Sequence, residues 1–311
     1  MDRGLLKWGA VVRRRHENAG RLTGPDGLEE GGDVNIVEFT GLIFVGSVVA
    51  GFLGALTGLG GGVVIVPLLT VVFGVDIKYA IGAALVSVIA TSSGAAAAYV
   101  REGYSNVRVG MFLEIATTIG ALAGAAIAIY LRSSVIAMVF GVVLLYSAYL
   151  SFRQREHESR NVETDGLAKW LRLEGSYPTA EGMTSYHVRN VPGGFLLMYV
   201  AGVLSGLLGI GSGAVKVLAM DQVMKLPFKV STTTSNFMIG VTAAASAGIY
   251  LSRGYIDPGL AMPVMLGVLS GSLVGARILA GAQVRALRLV FTIVIAALGV
   301  EMIFNALTGR I

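Results

Sequence analysis

The chain has 311 residues, of which 54% are hydrophobic, only 14% are charged and 43 are glycine. Soluble proteins average about 25% charged residues and about 7% glycine, so this composition excludes an ordinary water-soluble enzyme. The absence of cysteine excludes disulfides, thiolate catalysis and Cys-ligated zinc, and the three histidines lie outside the apolar spans, which argues against a soft-metal site. The net charge of +5 comes without a basic stripe interleaved with aromatic residues. We therefore predict that the protein has no cofactor, no metal site and no nucleic-acid partner.

Charged residues concentrate in two segments. Residues 1–38 hold 13 of the 43 charges, and residues 153–189 hold 12 more. We predict that residues 1–38 form a soluble, partly disordered arm, because they lack the apolar core and small-residue cleavage site of a signal peptide. We predict a charged linker over residues 153–192, which is either regulatory or merely solvated.

The remaining sequence consists of long apolar spans, each long enough for the roughly 20 residues that cross a bilayer. Spans without Asp, Glu, Lys or Arg cover residues 39–75, 79–100, 133–152, 190–215 and 230–252, and three more carry one charge each: 109–131 with Glu114, 258–282 with Arg277, and 289–309 with Glu301. The pattern predicts an all-α polytopic membrane protein with eight to ten membrane helices.

The two halves of the chain are related by an offset of 151 residues. Aligned pairs include Gly51 with Gly202, Gly58 with Gly209, Gly62 with Gly213, Thr91 with Thr242, Tyr104 with Tyr255, and Gly120 with Gly271. A ladder of glycines in one ungapped register is hard to produce by chance. We predict two homologous membrane repeats, over residues 39–152 and 193–311.

Each repeat opens with an apolar span that a glycine cluster interrupts, at residues 58–62 and 209–213. Glycine costs about 1 kcal/mol per helix position relative to alanine, so each cluster should break its helix into two short pieces. Three ordinary membrane helices follow in each repeat. If the short pair enters and leaves on one side, the repeats are inverted, which is our prediction. A single broken spanning helix would make them parallel instead.

Polar groups are concentrated in the second repeat. Arg277 lies inside an apolar span, and Lys216 interrupts the apolar sequence from residue 190 to residue 220; an ionisable residue at such a place usually faces a cavity or a partner. The run Ser231–Asn236 follows Lys229, and we expect it to cap a helix and to offer free N–H groups to an oxyanion. Structural alternatives stay open: Lys216 can pair with Asp221 or reach an interface, and the hydroxyls can bond to nearby carbonyl groups. Glu114 and Glu301 either relay protons or serve as structural hydrogen-bond partners.

The sequence resembles the sulfite exporter TauE/SafE family. The matching motifs are GLGGGVVIVP at residues 58–67, GIGSGAVKVL at 209–218, the pattern from Pro227 to Phe237 that contains Thr-Ser-Asn-Phe, and the segment 240–248. The resemblance covers about residues 40–152 and 193–307. Two departures weaken the transfer of site residues: Ala83-Ala84 replaces a Thr-Ser pair that many members carry, and Ala219 stands where a proline is frequent.

The resemblance implies a secondary carrier, expected to export sulfite or organosulfonates such as sulfoacetate across a bacterial inner membrane, with no enzymatic activity. The expected partners are the anion, the lipid bilayer and a possible second copy of the chain. We predict a midplane binding site between the repeats, formed by Lys216, Ser231, Thr232, Thr233, Thr234, Ser235, Asn236, Gly60, Gly61, Gly211, Ser212, Gly213, Thr91 and Arg277. The alternatives are a passive anion channel and a carrier of small carboxylates.

Overall fold

The computed structural model describes residues 36–57, 61–101, 105–153, 165–179, 182–279 and 284–309. The chain divides into two compact units, Met1–Phe39 and Thr40–Ile311. The predicted arm over residues 1–38 lies almost wholly outside the described residues.

Helices make up nearly all of the first half. Its described elements are α1 (Ile36–Thr57), α2 (Gly62–Pro67) with a π-helical turn over Leu68–Val72, α3 (Ile77–Arg101), α4 (Val107–Tyr130) and α5 (Ser133–Arg153). Helix α1 ends at Thr57 and α2 begins at Gly62, and residues 58–60 of the predicted glycine cluster between them lie outside the described residues.

The second half has the same order of elements. They are α7 (Val191–Leu208), α8 (Gly213–Leu218) with a π-helical turn over Ala219–Val223, α9 (Phe228–Ser252), α10 (Pro258–Leu279) and α11 (Val284–Leu307). The short helices α2 and α8, the π-helical turns, and α3 and α9 all have bounds that differ by 151 residues. The duplication itself stays an inference, to which this correspondence lends support.

Polar residues define where several helices begin. Asn106 precedes α4 and its side chain accepts a hydrogen bond from the N–H of Val109 at 3.1 Å. Asn190 does the same for α7, accepting from Gly193 at 3.3 Å, with Pro192 in the first turn. Both are N-caps, which satisfy N–H groups that a helix start leaves unpaired.

Between the two halves, residues 165–189 form a small folded segment. It contains α6 (Gly166–Trp170) and an antiparallel hairpin of β1 (Gly175–Thr179) and β2 (Gly182–Tyr186). Ala168, Leu173 and Tyr186 are buried in a cluster with side chains of α4, α7 and α9. This hairpin adds a strand pair to an otherwise helical fold among the described residues. It was not predicted from the sequence. A regulatory role for the segment stays a prediction.

The halves pack on each other through glycine faces. On α4, a Cβ at Gly120 or Gly124 would overlap backbone of α7, at the carbonyl oxygens of Tyr199 and Val203. On α10, a Cβ at Gly271 would overlap the carbonyl oxygen of Val48 in α1, the residue 151 positions before Tyr199. These glycines thus serve helix packing, as small residues do in many membrane bundles.

The remaining helix pairs also join the two halves. Helix α3 packs against α9 and α10, α9 packs against α4, and α5 packs against α11. Long-range packing thus runs mainly between the halves, and the interface between them is the interior of the bundle.

Within the described residues, three helical stretches are both long and apolar enough to cross a membrane: Val107–Tyr130, Val191–Leu208 and Pro258–Gly275. Shorter apolar stretches occur in five further helices of the described residues. The structure is that of a mostly helical membrane protein. The count of eight to ten membrane helices stays a prediction.

Candidate functional site

The second glycine turn reverses the chain between α7 and α8. Gly209 and Gly211 have φ angles of 69° and 70°, and Ser212 has a φ of 49°. Left-handed backbone is nearly free of cost for glycine but strained for a residue with a Cβ, which explains the two glycines. The Ser212 side chain is buried, and its Oγ has no hydrogen-bond partner among the described residues.

The start of α2 contacts the second glycine turn. A Cβ at Gly62, at the start of α2, would lie 3.0 Å from the carbonyl oxygen of Gly209 and 2.9 Å from Val88 Cγ2 of α3. A Cβ at Gly211 would lie 2.8 Å from Ile239 Cγ2 of α9. Side chains of α3 and α9 therefore border the second turn.

Of the predicted residues in the first turn, Gly61 is described and Gly60 is not. Gly61 is buried, and its carbonyl oxygen accepts hydrogen bonds from the N–H groups of Val64 and Ile65 in α2. Gly60 lies outside the described residues.

Lys216 is the central cation of the interior. It lies on α8, directly after the second turn, and its relative exposure is 0%. Its Nζ donates a hydrogen bond to Thr242 Oγ1 on α9 at 2.5 Å. An ammonium group without access to water requires compensation from neighbouring polar groups. Lys216 therefore neither reaches an interface nor pairs with Asp221, whose Oδ2 accepts instead from Gln222 Nε2 at 2.7 Å.

Glu114 on α4 supplies that compensation through Thr242. Thr242 Oγ1 lies 2.7 Å from Glu114 Oε1, and Thr118 Oγ1 donates to the same oxygen at 3.3 Å. Glu114 is 8% exposed. Its Oε2 has no hydrogen-bond partner within the described part of the chain. A buried ammonium and a buried carboxyl group from different halves are thus joined by one hydroxyl, and we call these three residues the Lys216 cluster.

The run Ser231–Asn236 does not cap a helix, so this expectation is wrong. Helix α9 begins at Phe228, after Pro227, and the N–H of Ser231 already donates to the carbonyl of Pro227 at 2.9 Å. The proline sets the helix start because its ring fixes φ and its missing N–H is no loss in a first turn. The backbone N–H groups of the run therefore belong to the helix.

Most hydroxyls of the run bond to protein groups. Thr232 and Thr233 donate to the carbonyl groups of Phe228 and Lys229, each at 2.9 Å. Such bonds to the preceding turn are common for Ser and Thr in helices.

Other members of the run make contacts outside α9. Thr234 Oγ1 accepts from the N–H of Asn106 at 3.0 Å, and Ser235 Oγ donates to the carbonyl of Gly213 in α8 at 3.3 Å. Ser231 is buried, and its Oγ has no partner among the described residues. Asn236 is partly buried. The run thus ties α9 to the short helix that carries Lys216.

Thr91, another predicted site residue, bonds within its own helix. It lies on α3, and its Oγ1 donates to the carbonyl of Ser87 at 3.0 Å. Arg277 lies on α10, and its side chain falls outside what the structure describes.

Thr242 was not predicted as a site residue, and the role of Glu114 was left open. The sequence contains a signal for each residue: Thr242 aligns with Thr91 at the offset of 151 residues, and Glu114 is the acidic residue of an otherwise uncharged span. What the sequence could not supply is the contact between α4, α8 and α9 that brings the three side chains together.

Comparison with known proteins places the chain in a family. Residues 43–302 match the family described as "Sulfite exporter TauE/SafE". The chain is 26% identical over 278 residues to "Probable membrane transporter protein YunE" of Bacillus subtilis, covering 87% of this chain and 99% of the relative. A second Bacillus subtilis protein, "Probable membrane transporter protein YdhB", is 26% identical over 76% of this chain and 87% of its own length.

A third relative, "Probable membrane transporter protein MJ0441" of Methanocaldococcus jannaschii, is 22% identical over 84% of this chain and 94% of its own length. No solved structure matches the chain. Since the family match covers most of the chain, the protein is a membrane transporter of the sulfite exporter TauE/SafE family and not an enzyme.

Proposed function

We propose that this chain carries small sulfur-containing anions, such as sulfite or an organosulfonate, across a bacterial inner membrane, with export as the expected direction. The binding site lies between the two halves. Lys216 supplies the positive charge, and the second glycine turn and the hydroxyls near it supply hydrogen bonds to the anion's oxygens.

The observation that carries this proposal is the burial of Lys216. Its ammonium group has no exposed surface, beside a turn whose Ser212 hydroxyl is also buried without a described partner. Ionisable groups inside a membrane bundle are costly and are typical of substrate and ion pathways. A cation suits an anionic substrate, and the family description names sulfite.

The mechanism that we propose is alternating access between inverted repeats. Because Lys216 is fully buried here, an anion reaches it only when the halves separate on one side. Transporters built from inverted repeats typically work by such a motion of one repeat against the other.

The test compares Lys216→Met with Lys78→Met in purified protein reconstituted into liposomes. Lys78 is a matched control, because it is also a lysine of a membrane helix but donates to the carbonyl of Ile129 at 2.9 Å and lies over the ring of Tyr255. We expect saturable uptake of labelled sulfite or a sulfonate by the wild type and by Lys78→Met, and loss of uptake in Lys216→Met.

The same experiment separates the alternatives. Large electrical conductance without saturation would indicate a passive channel. Transport of acetate or succinate in place of the sulfur anions would indicate a carboxylate carrier. Equal uptake by the two lysine variants would overturn the assignment of the site.

A further inference from the structure

We propose that Glu114 is a proton-binding site that controls the charge of the Lys216 cluster, so that one proton moves together with one monovalent anion. This inference deepens the proposed function and rests on it. It assigns a coupling ion to the carrier.

The geometry of the cluster places the carboxyl group where it neutralises the cation. Thr242 Oγ1 lies 2.5 Å from Lys216 Nζ and 2.7 Å from Glu114 Oε1, so a single hydroxyl links the two groups. Lys216 is 0% exposed and Glu114 is 8% exposed, so water does not screen them. Charges in such surroundings interact strongly.

Charge balance then decides when an anion binds. With Glu114 ionised, the cluster is neutral overall, and an entering anion meets a carboxylate as well as an ammonium group. With Glu114 protonated, the cluster carries one positive charge, which one monovalent anion cancels. The loaded carrier is then neutral, and burying a neutral site costs far less than burying a net charge.

A free oxygen of Glu114 gives the proton a place to bind. Glu114 Oε1 already accepts hydrogen bonds from Thr242 and Thr118, whereas Oε2 is buried without a partner in the described part of the chain. A protonated Oε2 would be a donor, able to bond to an oxygen of the anion. The anion would thus supply the partner that Oε2 lacks.

Among the described residues, few charged groups lie near Glu114. Lys216 is linked to it through Thr242. Helix α7, packed along α4, has no Asp, Glu, Lys, Arg or His. Arg108 on α4 and Lys229 on α9 are exposed near the starts of their helices. Outside the bundle, His187 is half exposed beside Glu174 and requires a control of its own.

The test uses methanesulfonate, whose charge is constant from about pH 5 to about pH 8, a range in which histidine titrates. A change in affinity over this range therefore reports on the protein and not on the anion. Affinity is measured by thermal stabilisation, and proton movement by a pH-sensitive dye inside proteoliposomes. In the wild type, we expect affinity to rise as the pH falls, by up to tenfold per pH unit, and anion entry to acidify the lumen. Reciprocity requires that a proton which promotes anion binding is itself bound more tightly with the anion.

Glu114→Gln should bind the anion with an affinity that does not vary with pH, and should move no protons. The matched controls Glu301→Gln, a glutamate on the exposed surface of α11, and His187→Gln should both behave as the wild type. Proton movement in the wild type needs no variant, so the proposal stays testable even if Glu114→Gln fails to fold.

Anion transport by the wild type without proton movement would overturn the inference and leave the proposed function intact. Continued proton coupling in Glu114→Gln would also overturn it. Failure of the wild type to bind or transport any anion at any pH would instead overturn the proposed function.

Discussion

Removing the positive charge of Lys216 should destabilise the protein far more than removing both charges of the cluster. Breaking a buried ion pair on one side costs about 3–5 kcal/mol, because the remaining charge is left uncompensated, whereas replacing both partners by neutral groups is often without cost. Lys216 and Glu114 are 0% and 8% exposed, so solvent screening does not reduce the effect. We expect Lys216→Met to lower the free energy of unfolding by about 3 kcal/mol or more. The double variant, Lys216→Met with Glu114→Gln, should recover most of this loss.

Thermal unfolding in detergent provides the measurement, and about 3 kcal/mol corresponds to a decrease in Tm of roughly 6 °C or more. A double-mutant cycle over Lys216 and Glu114 gives the coupling free energy directly. The control cycle pairs Lys78→Met with Glu114→Gln, since Lys78 bonds elsewhere, to the carbonyl of Ile129. Additive effects within about 0.5 kcal/mol in the Lys216 cycle would refute the reasoning, because independent residues behave in that way.

Three further predictions concern packing and the linker. Gly206→Ala should lower the Tm by several degrees, because its Cβ would overlap the carbonyl oxygen of Ala121, whereas Gly248→Ala, with open space around it, should leave the Tm unchanged or slightly higher. Lys78→Ala should lower the Tm by only about 2 °C, because it removes one partly exposed hydrogen bond and water replaces the lost contact. Burial raises the pKa of the Tyr186 phenol above its usual 10.0, so the folded hairpin keeps a proton that the unfolded chain loses, and its stability should fall as the pH rises above about 10. Limited proteolysis near Tyr186 across that pH range would detect the change, and cleavage independent of pH would contradict it.

The positions of the helices could be predicted because membrane burial imposes a simple rule on composition. Charges are rare in the spans, so the spans around α4, α7 and α10 stand out in the sequence. The break between α7 and α8 was predictable for an equally local reason, since Gly209 and Gly211 have left-handed backbone angles that glycine adopts easily.

The candidate site was only partly predictable, because its contacts are long-range. Lys216 stands out as a lone cation, but its partner Thr242 lies 26 residues away and Glu114 lies in the other half. No local pattern encodes a contact of that kind. The start of α9 was predicted wrongly at the run Ser231–Asn236, because the helix begins directly after Pro227 and not at a hydroxyl residue.

The linker hairpin could not be predicted for a different reason. Its surroundings are polar and charged, which is typical of solvated loops, and its folding depends on few apolar residues. Tyr186 and Leu173 provide these, and Asn106 Nδ2 donates to both, to the Tyr186 hydroxyl at 2.6 Å and to the Leu173 carbonyl at 3.1 Å. Without knowledge of α4, such a hairpin cannot be distinguished from a flexible loop.

The reciprocal glycine contacts have a consequence for biogenesis. Gly120 on α4 packs on Tyr199 of α7, and Gly271 on α10 packs on Val48 of α1. Each half therefore lacks part of its packing surface until the other half is present. Neither half is therefore a folding unit by itself, even though each contains a complete set of helices. A gene cut within the linker should give functional protein only when both fragments are made in the same cell, and each fragment alone should be degraded.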